Sequence, residues 1–311
     1  MRPVRLATLW LSVAVAGLST AVRANDDITI FQVEGAGGVP INVAESGDRD
    51  KPGILFIHGN GQSYLSWHRQ LDSDLAERFH LVAYDLRGHG NSGKPFEIEA
   101  YSPACVWAED IDAVIQATGL SNPVVVAWSR GGLIAMHYVS CRGTDALSGL
   151  VMVAARGRLV EVPLPPSDSP ARVSQEQLES QDIEDNLKGA KTFARLMTVE
   201  EPDPEWLEKS VVMNLLAPPY ARRAMRAPTI GPDGAVSRSY AHLIDEINVP
   251  IMIVLGADDP LRDSGDLAAA YRAAIPTVTV HMYPGVGHSP FLEVPDKFNA
   301  DLADFVSGAM K

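Results

Sequence analysis

Residues 122–139 read NPVVVAWSRGGLIAMHYV. The first part, VVVAW, is a short apolar and β-branched run of the kind that makes a buried parallel strand. The second part, RGGLIAMHYV, has the length and pattern of a helix start. Ser129 stands at the junction, so this serine is expected on a sharp strand-to-helix turn.

Similar apolar runs recur on either side. GILFIHG begins at Gly53, HLVAYDL at His80 and GLVMVAA at Gly149, and after a gap come VPIMIVLG (249–256) and TVTVHMY (277–283). Segments of helical length alternate with them, predicted over 63–79, 102–118, 130–141, 263–274 and 295–310. Strands alternating with helices predict an α/β fold, a mostly parallel sheet covered on both faces. Two earlier runs, ITIFQV (28–33) and VPINVA (39–44), flank the turn-forming EGAGG and read as an opening hairpin.

The alternation breaks at Arg156 and resumes only at Val249. The intervening stretch is polar and Pro-rich (VPLPPSDSP), with two helices expected at about 174–196 and 204–225. We therefore divide the chain into a core (25–156 and 248–311) and a helical cap or lid inserted at 157–247.

The chain begins MRPVR, followed by LATLWLSVAVAGLSTAV and Arg23-Ala24-Asn25. A basic start, an apolar run and a small residue at the expected cut form the pattern of a secretory signal peptide, residues 1–24. The mature protein is then expected to be periplasmic or secreted. No other stretch is long and apolar enough to span a bilayer. Loss of Arg2, Arg5 and Arg23 would move the net charge from −13 to −16. That acidity argues against nucleic acid and anionic membranes as partners and leaves a small molecule. The composition carries no signal of oligomeric state.

No cysteine and histidine spacing resembles a zinc site, and HExxH and Walker sequences are absent, so neither a metal nor a cofactor is expected. Cys105 and Cys141 are the two cysteines. If the helices holding them descend side by side from the same sheet edge, about 11 residues of rise separate them, roughly 16 Å against a bridging limit of about 7 Å. Two unpaired thiols are therefore expected.

A serine hydroxyl is a weak nucleophile and needs a base, with a third group to orient that base. Asp258-Asp259 follows the strand IMIVLG, and His288 follows the strand TVTVHMY. Both emerge at the carboxyl edge that carries Ser129, where open parallel sheets place their sites. An oxyanion needs two N–H donors. Asn60, after the strand ILFI, and Arg130, directly after Ser129, are placed to supply them. His58, which precedes that turn, is read as bracing the loop.

The motifs FIHGNGQS, YDLRGHGNSGKP, VVAWSRGG, VLGADDP and YPGVGHSPFLEVP together resemble the α/β-hydrolase superfamily, in particular its esterase and cofactor-free haloperoxidase-like group, over residues 28–310. Ala127 departs from the Gly-x-Ser-x-Gly pattern at its first glycine, a position that accepts only a small side chain. The resemblance implies Ser129 as nucleophile, Asp259 as acid, His288 as base and the Asn60 and Arg130 amides as oxyanion hole. It makes Asp85, Arg87 and His89 structural and Trp128 a packing residue. Haloalkane dehalogenases and epoxide hydrolases are related but use an aspartate where this chain has Ser129. The activity implied is hydrolysis of a carboxylic ester. Lactone cleavage, carbon–carbon bond hydrolysis and perhydrolysis are alternatives with the same residues, and a catalytically silent binding protein is the alternative of another class.

Overall fold

The computed structural model describes residues 28–310, so the expected signal peptide lies outside the described residues. Eight strands form one sheet: β1 (Thr29–Glu34), β2 (Pro40–Ser46), β3 (Gly53–Ile57), β4 (His80–Tyr84), β5 (Val124–Trp128), β6 (Gly149–Val153), β7 (Ile251–Gly256) and β8 (Thr279–Tyr283). Their order is β1-β2-β4-β3-β5-β6-β7-β8. The opening hairpin β1–β2 is antiparallel and joins β4 antiparallel; from β4 to β8 every pair is parallel.

Period-two alternation divides the apolar strand residues between two cores. Leu55, Ile57, Val125, Ala127 and Ile253 face one side, where helices α2 (Ala104–Thr118), α3 (Arg130–Arg142) and α8 (Ser264–Ala274) cover them. Ile54, Phe56, Val124, Val126 and Val254 face the other, beneath α9 (Pro290–Glu293), α10 (Pro295–Ala309) and the aromatic group Trp67, Phe291 and Phe298. Burial on both faces is what made these strands read as continuous apolar runs.

Three sequence expectations need correction. The helix expected over 63–79 is broken into 3-10 turns at Tyr64–Trp67 and Asp74–Glu77 around a single α turn, α1 (His68–Leu71). Ser63 and Ser73 each accept a hydrogen bond from the N–H two residues on, and each such bond starts a new turn.

The segment between β6 and β7 holds four α-helices, not two: α4 (Pro170–Leu178), α5 (Ile183–Arg195), α6 (Pro204–Leu216) and α7 (Pro219–Ala224), followed by a 3-10 turn at Ala241–Glu246. Asp182 ends the first continuous stretch by capping the N–H groups of Glu184 and Asp185. Pro218 and Pro219 end the second, because proline lacks the N–H a helix interior requires.

The third correction is the disulfide. Cys105 and Cys141 are bonded, with Cα atoms 5.7 Å apart. Helices α2 and α3 do not descend in step, as the rise argument assumed. Residues 105–112 of α2 lie against the last turns of α3: the Trp107 and His137 rings are 6.5 Å apart, and Arg142 pairs with Asp112 at 2.8 Å. Closing a loop across a sequence separation of 36 residues restricts the unfolded chain, a stabilisation of about 4 kcal/mol in the chain-entropy model.

Candidate active site

Ser129 sits at φ 53°, ψ −112°, a backbone conformation that side chains rarely adopt and that costs on the order of 1–3 kcal/mol. The turn is enforced from several sides. The Ser129 N–H donates to the Val153 carbonyl of the neighbouring strand at 2.9 Å. Ala127, fully buried, pairs with Ile57 and Met152 on the two flanking strands. At Gly131, in the first turn of α3, an added Cβ would lie 2.5 Å from the Ile57 carbonyl oxygen, so only glycine lets the helix start this close to β3. Similarly, a Cβ on Gly59 would lie 3.3 Å from the Ser129 Cβ, which places the loop of Asn60 directly beside the serine.

Arg130 is the first residue of α3, so its N–H has no intrahelical acceptor and points with the positive end of the helix. Ser129, Asn60 and Arg130 border a common cavity of about 320 Å³.

The acid and the histidine meet as their strand ends suggested. Asp259 Oδ2 lies 2.7 Å from His288 Nδ1, and both residues are buried. The other carboxylate oxygen accepts from the Leu261 N–H at 2.8 Å, and Arg262 lies 3.6 Å from Oδ2. Burial pushes the Asp259 carboxyl up, but His288, Arg262 and the Leu261 N–H pull it down further, and it ends below its ordinary range. For His288 burial dominates: it lowers the imidazole, and Asp259 only partly offsets this.

His288 is tied to the serine through Trp128. This tryptophan, the residue before Ser129, donates its indole N–H to the His288 carbonyl at 2.8 Å, and the two rings lie 5.6 Å apart. Trp128 therefore packs, as expected, and also fixes the histidine's backbone.

Asp258, the adjacent carboxylate, does not reach the histidine; its Oδ2 accepts from the Gly285 N–H at 2.8 Å. His58 braces its loop: its Nε2 accepts from the Leu86 N–H at 2.9 Å and its Nδ1 lies 2.8 Å from the Gly59 carbonyl, the pattern of a neutral ring. Burial lowers it to about 4. Asp85 accepts from Asn42, Tyr64 and Asn91, and Arg87 is bonded twice to Asp110; both hold loops at the sheet edge. His89 is buried with its Nδ1 3.2 Å from the Arg87 carbonyl.

Two features escaped the sequence reading. Glu293 accepts from the N–H groups of Gly287, Ser289 and Val199, clamping the loop on both sides of His288. It lies within the quoted motif GHSPFLEVP, so an acidic residue four positions after Ser289 was its available signal. The second feature is the cavity's arginines, which come from five separate segments; the only sequence signal is the clusters ARGR (155–158) and ARRAMR (221–226) in an acidic chain. Among the described residues, no group of three or more His, Cys, Asp or Glu is arranged to hold a metal ion, and no helix is long and apolar enough to cross a membrane.

The chain resembles known proteins over most of its length. The bifunctional esterase/perhydrolase of Acinetobacter calcoaceticus is 29% identical over 291 residues, covering 86% of this chain and 96% of that protein. A pimeloyl-[acyl-carrier protein] methyl ester esterase of Neisseria meningitidis is 28% identical, covering 82% and 93%. Among solved structures, a putative aryl esterase from Burkholderia cenocepacia superimposes with a TM-score of 0.81 at 32% identity, covering 91% of this chain and 99% of that one. The sequence model of the alpha/beta hydrolase family matches residues 54–301, and the chain belongs to that family.

Proposed function

We propose that this protein is a serine hydrolase that cleaves a carboxylic ester through an acyl-enzyme, with Ser129 as nucleophile, His288 as base, Asp259 orienting His288, and the Asn60 and Arg130 N–H groups as oxyanion hole. The observation that carries this reading is a serine held at φ 53° on a cavity wall, next to a tryptophan bonded to a histidine whose other partner is a buried carboxylate. His288 takes the Ser129 proton as the Oγ–carbonyl bond forms, and the oxyanion is held by the two N–H groups. The protonated histidine then gives its proton to the departing alcohol. Water, activated by the same histidine, attacks the acyl-serine, releasing the acid and restoring Ser129. The relatives named esterases support this reading. We read residues 157–247 as a cap over the site, because Ala171 and Phe193 from that segment wall the cavity. A fluorophosphonate probe should label Ser129, as located by peptide mass spectrometry. Folded protein that takes no label and cleaves no p-nitrophenyl ester would overturn the assignment.

The lowered His288 sets the pH dependence. The imidazole accepts the serine proton only when neutral, so kcat/KM should fall as pH drops through its pKa. Because burial lowers that pKa, the acid limb should have its midpoint below the ordinary histidine value of about 6.5. A midpoint clearly above that value in a kcat/KM profile would contradict the assigned environment.

We also propose that residues 1–24 are removed on export. The Cys105–Cys141 bond supports this, since stable disulfides are the habit of oxidising compartments. Amino-terminal sequencing of protein recovered from cells should begin at Asn25; soluble cytoplasmic protein that keeps Met1 would refute export.

A further inference from the structure

The cavity beside Ser129 has a charge opposite to that of the chain. Its lining includes six arginines, Arg130, Arg156, Arg172, Arg222, Arg226 and Arg262, and one acidic residue, Glu179, in a protein of net charge −13. Two of the six are matched by carboxylates: Arg226 pairs with Glu179 at 2.8 Å, and Arg262 lies near Asp259. The other four have no carboxylate within 4 Å among the described residues, and Glu179, already paired with Arg226, is the one carboxylate that attracts Arg130 and Arg222 from farther off.

Their existing bonds do not neutralise them. Arg222 is buried and donates to the carbonyls of Ala217 and Asn214 and to the Asn214 side-chain oxygen. Arg130 donates to the Met225 carbonyl, while its Nε is buried without a partner. Burial pushes Arg130 down to about 10 and Arg222 to about 9, so both remain charged at neutral pH. Buried charges without counter-charges are costly, and guanidinium groups present planar pairs of donors that match a carboxylate or phosphate. Nothing in the ester chemistry itself calls for this many cations, since the oxyanion is served by backbone N–H groups.

Resting on the hydrolase reading above, we propose that the substrate is an anionic ester: a small ester whose far end carries a carboxylate or a phosphate, held by the arginines while the ester carbonyl lies at Ser129. A cavity of about 320 Å³ suits a short chain between the two ends. The anion also orients the substrate, so that the reacting carbonyl is delivered to the serine and neutral esters of the same length are handled less well.

The test compares the p-nitrophenyl monoester of adipic acid with p-nitrophenyl hexanoate, equal in chain length and differing in the terminal charge. The wild-type protein should prefer the adipate monoester by at least tenfold in kcat/KM. Arg156→Gln and Arg172→Gln should each reduce that preference at least threefold, chiefly through a raised KM for the charged ester. Arg172, in the first turn of α4 and partly exposed, provides the variant least able to disturb folding. Equal turnover of the two esters would overturn the inference and leave the hydrolase reading intact. Binding supplies a readout independent of turnover: adipate and pentyl phosphate are titrated calorimetrically into Ser129→Ala protein. Binding of either supports the anion site, and the tighter one identifies its chemistry. If neither binds in the millimolar range, the inference fails. If both esters resist cleavage while adipate binds, the hydrolase reading fails and the anion site stands.

Discussion

Ser129→Ala should lower kcat for ester hydrolysis by about 10⁶, the size of loss seen when a serine protease loses its nucleophile. Fluorophosphonate labelling should vanish with it. Alanine can adopt φ 53° no more easily than serine, so the variant pays the same backbone cost and its unfolding midpoint should stay close to wild type. This separates a chemical loss from a folding loss. Ser129→Gly sharpens the test, because glycine relieves the positive φ. It should be as inactive as the alanine variant yet gain about 1 kcal/mol in chemical denaturation, provided the native strain exceeds the entropy glycine adds to the unfolded chain. A serine held in strain for reaction must show this opposition between stability and activity. If Ser129→Ala kept more than a hundredth of the wild-type rate, the nucleophile would lie elsewhere.

The turn at Ser129 was legible because it is local: five apolar residues, a serine and two glycines specify a strand, a junction and a close-packed helix start. The strand end carrying Asp259 was legible for the same reason, since it follows a run buried on both faces, whereas the partly exposed edge strand before His288 was legible from its β-branched run TVTV. The cysteine pairing was not legible. The angle at which α2 crosses α3 depends on the side chains between them, among them Trp107 and His137, and on the twist of the sheet beneath; no periodicity within either helix encodes it. The segment between β6 and β7 failed for a related reason. Its breaks rest on single residues, Asp182 and the pair Pro218-Pro219, which apolar spacing passes over. The arginines of the cavity were hidden more deeply, because Arg130, Arg156, Arg222 and Arg262 lie far apart in sequence and meet only when the sheet edge and the inserted helices come together.

The adjacent carboxylates Asp258 and Asp259 offer an internal control, since the structure gives them different partners. Asp259 is buried, with one oxygen on His288 Nδ1 at 2.7 Å and the other on the Leu261 N–H at 2.8 Å. Asp258 is exposed and accepts from Gly285 N–H, a bond that holds the loop between β8 and His288. Replacing the Asp259 carboxylate by an amide keeps the shape but removes the charge that stabilises the imidazolium, and an amide nitrogen facing Nδ1 favours the tautomer whose Nε2 carries the proton. That ring cannot accept from serine. In serine proteases this change costs about 10⁴ in kcat, or about 5.4 kcal/mol of barrier, and Asp259→Asn should show a loss of that order. Removing a buried charge beside Arg262 also leaves that guanidinium short of its counter-charge, so a moderate fall in stability should accompany the lost rate. Asp258→Asn retains an oxygen able to accept from Gly285 N–H, and its rate should stay within about tenfold of wild type, or about 1.4 kcal/mol. Kinetics on purified protein of both variants, with far-ultraviolet circular dichroism to confirm folding, decide the matter. A larger loss at Asp258 than at Asp259 would mean that the pair 2.7 Å apart in the resting enzyme is not the pair that acts during turnover.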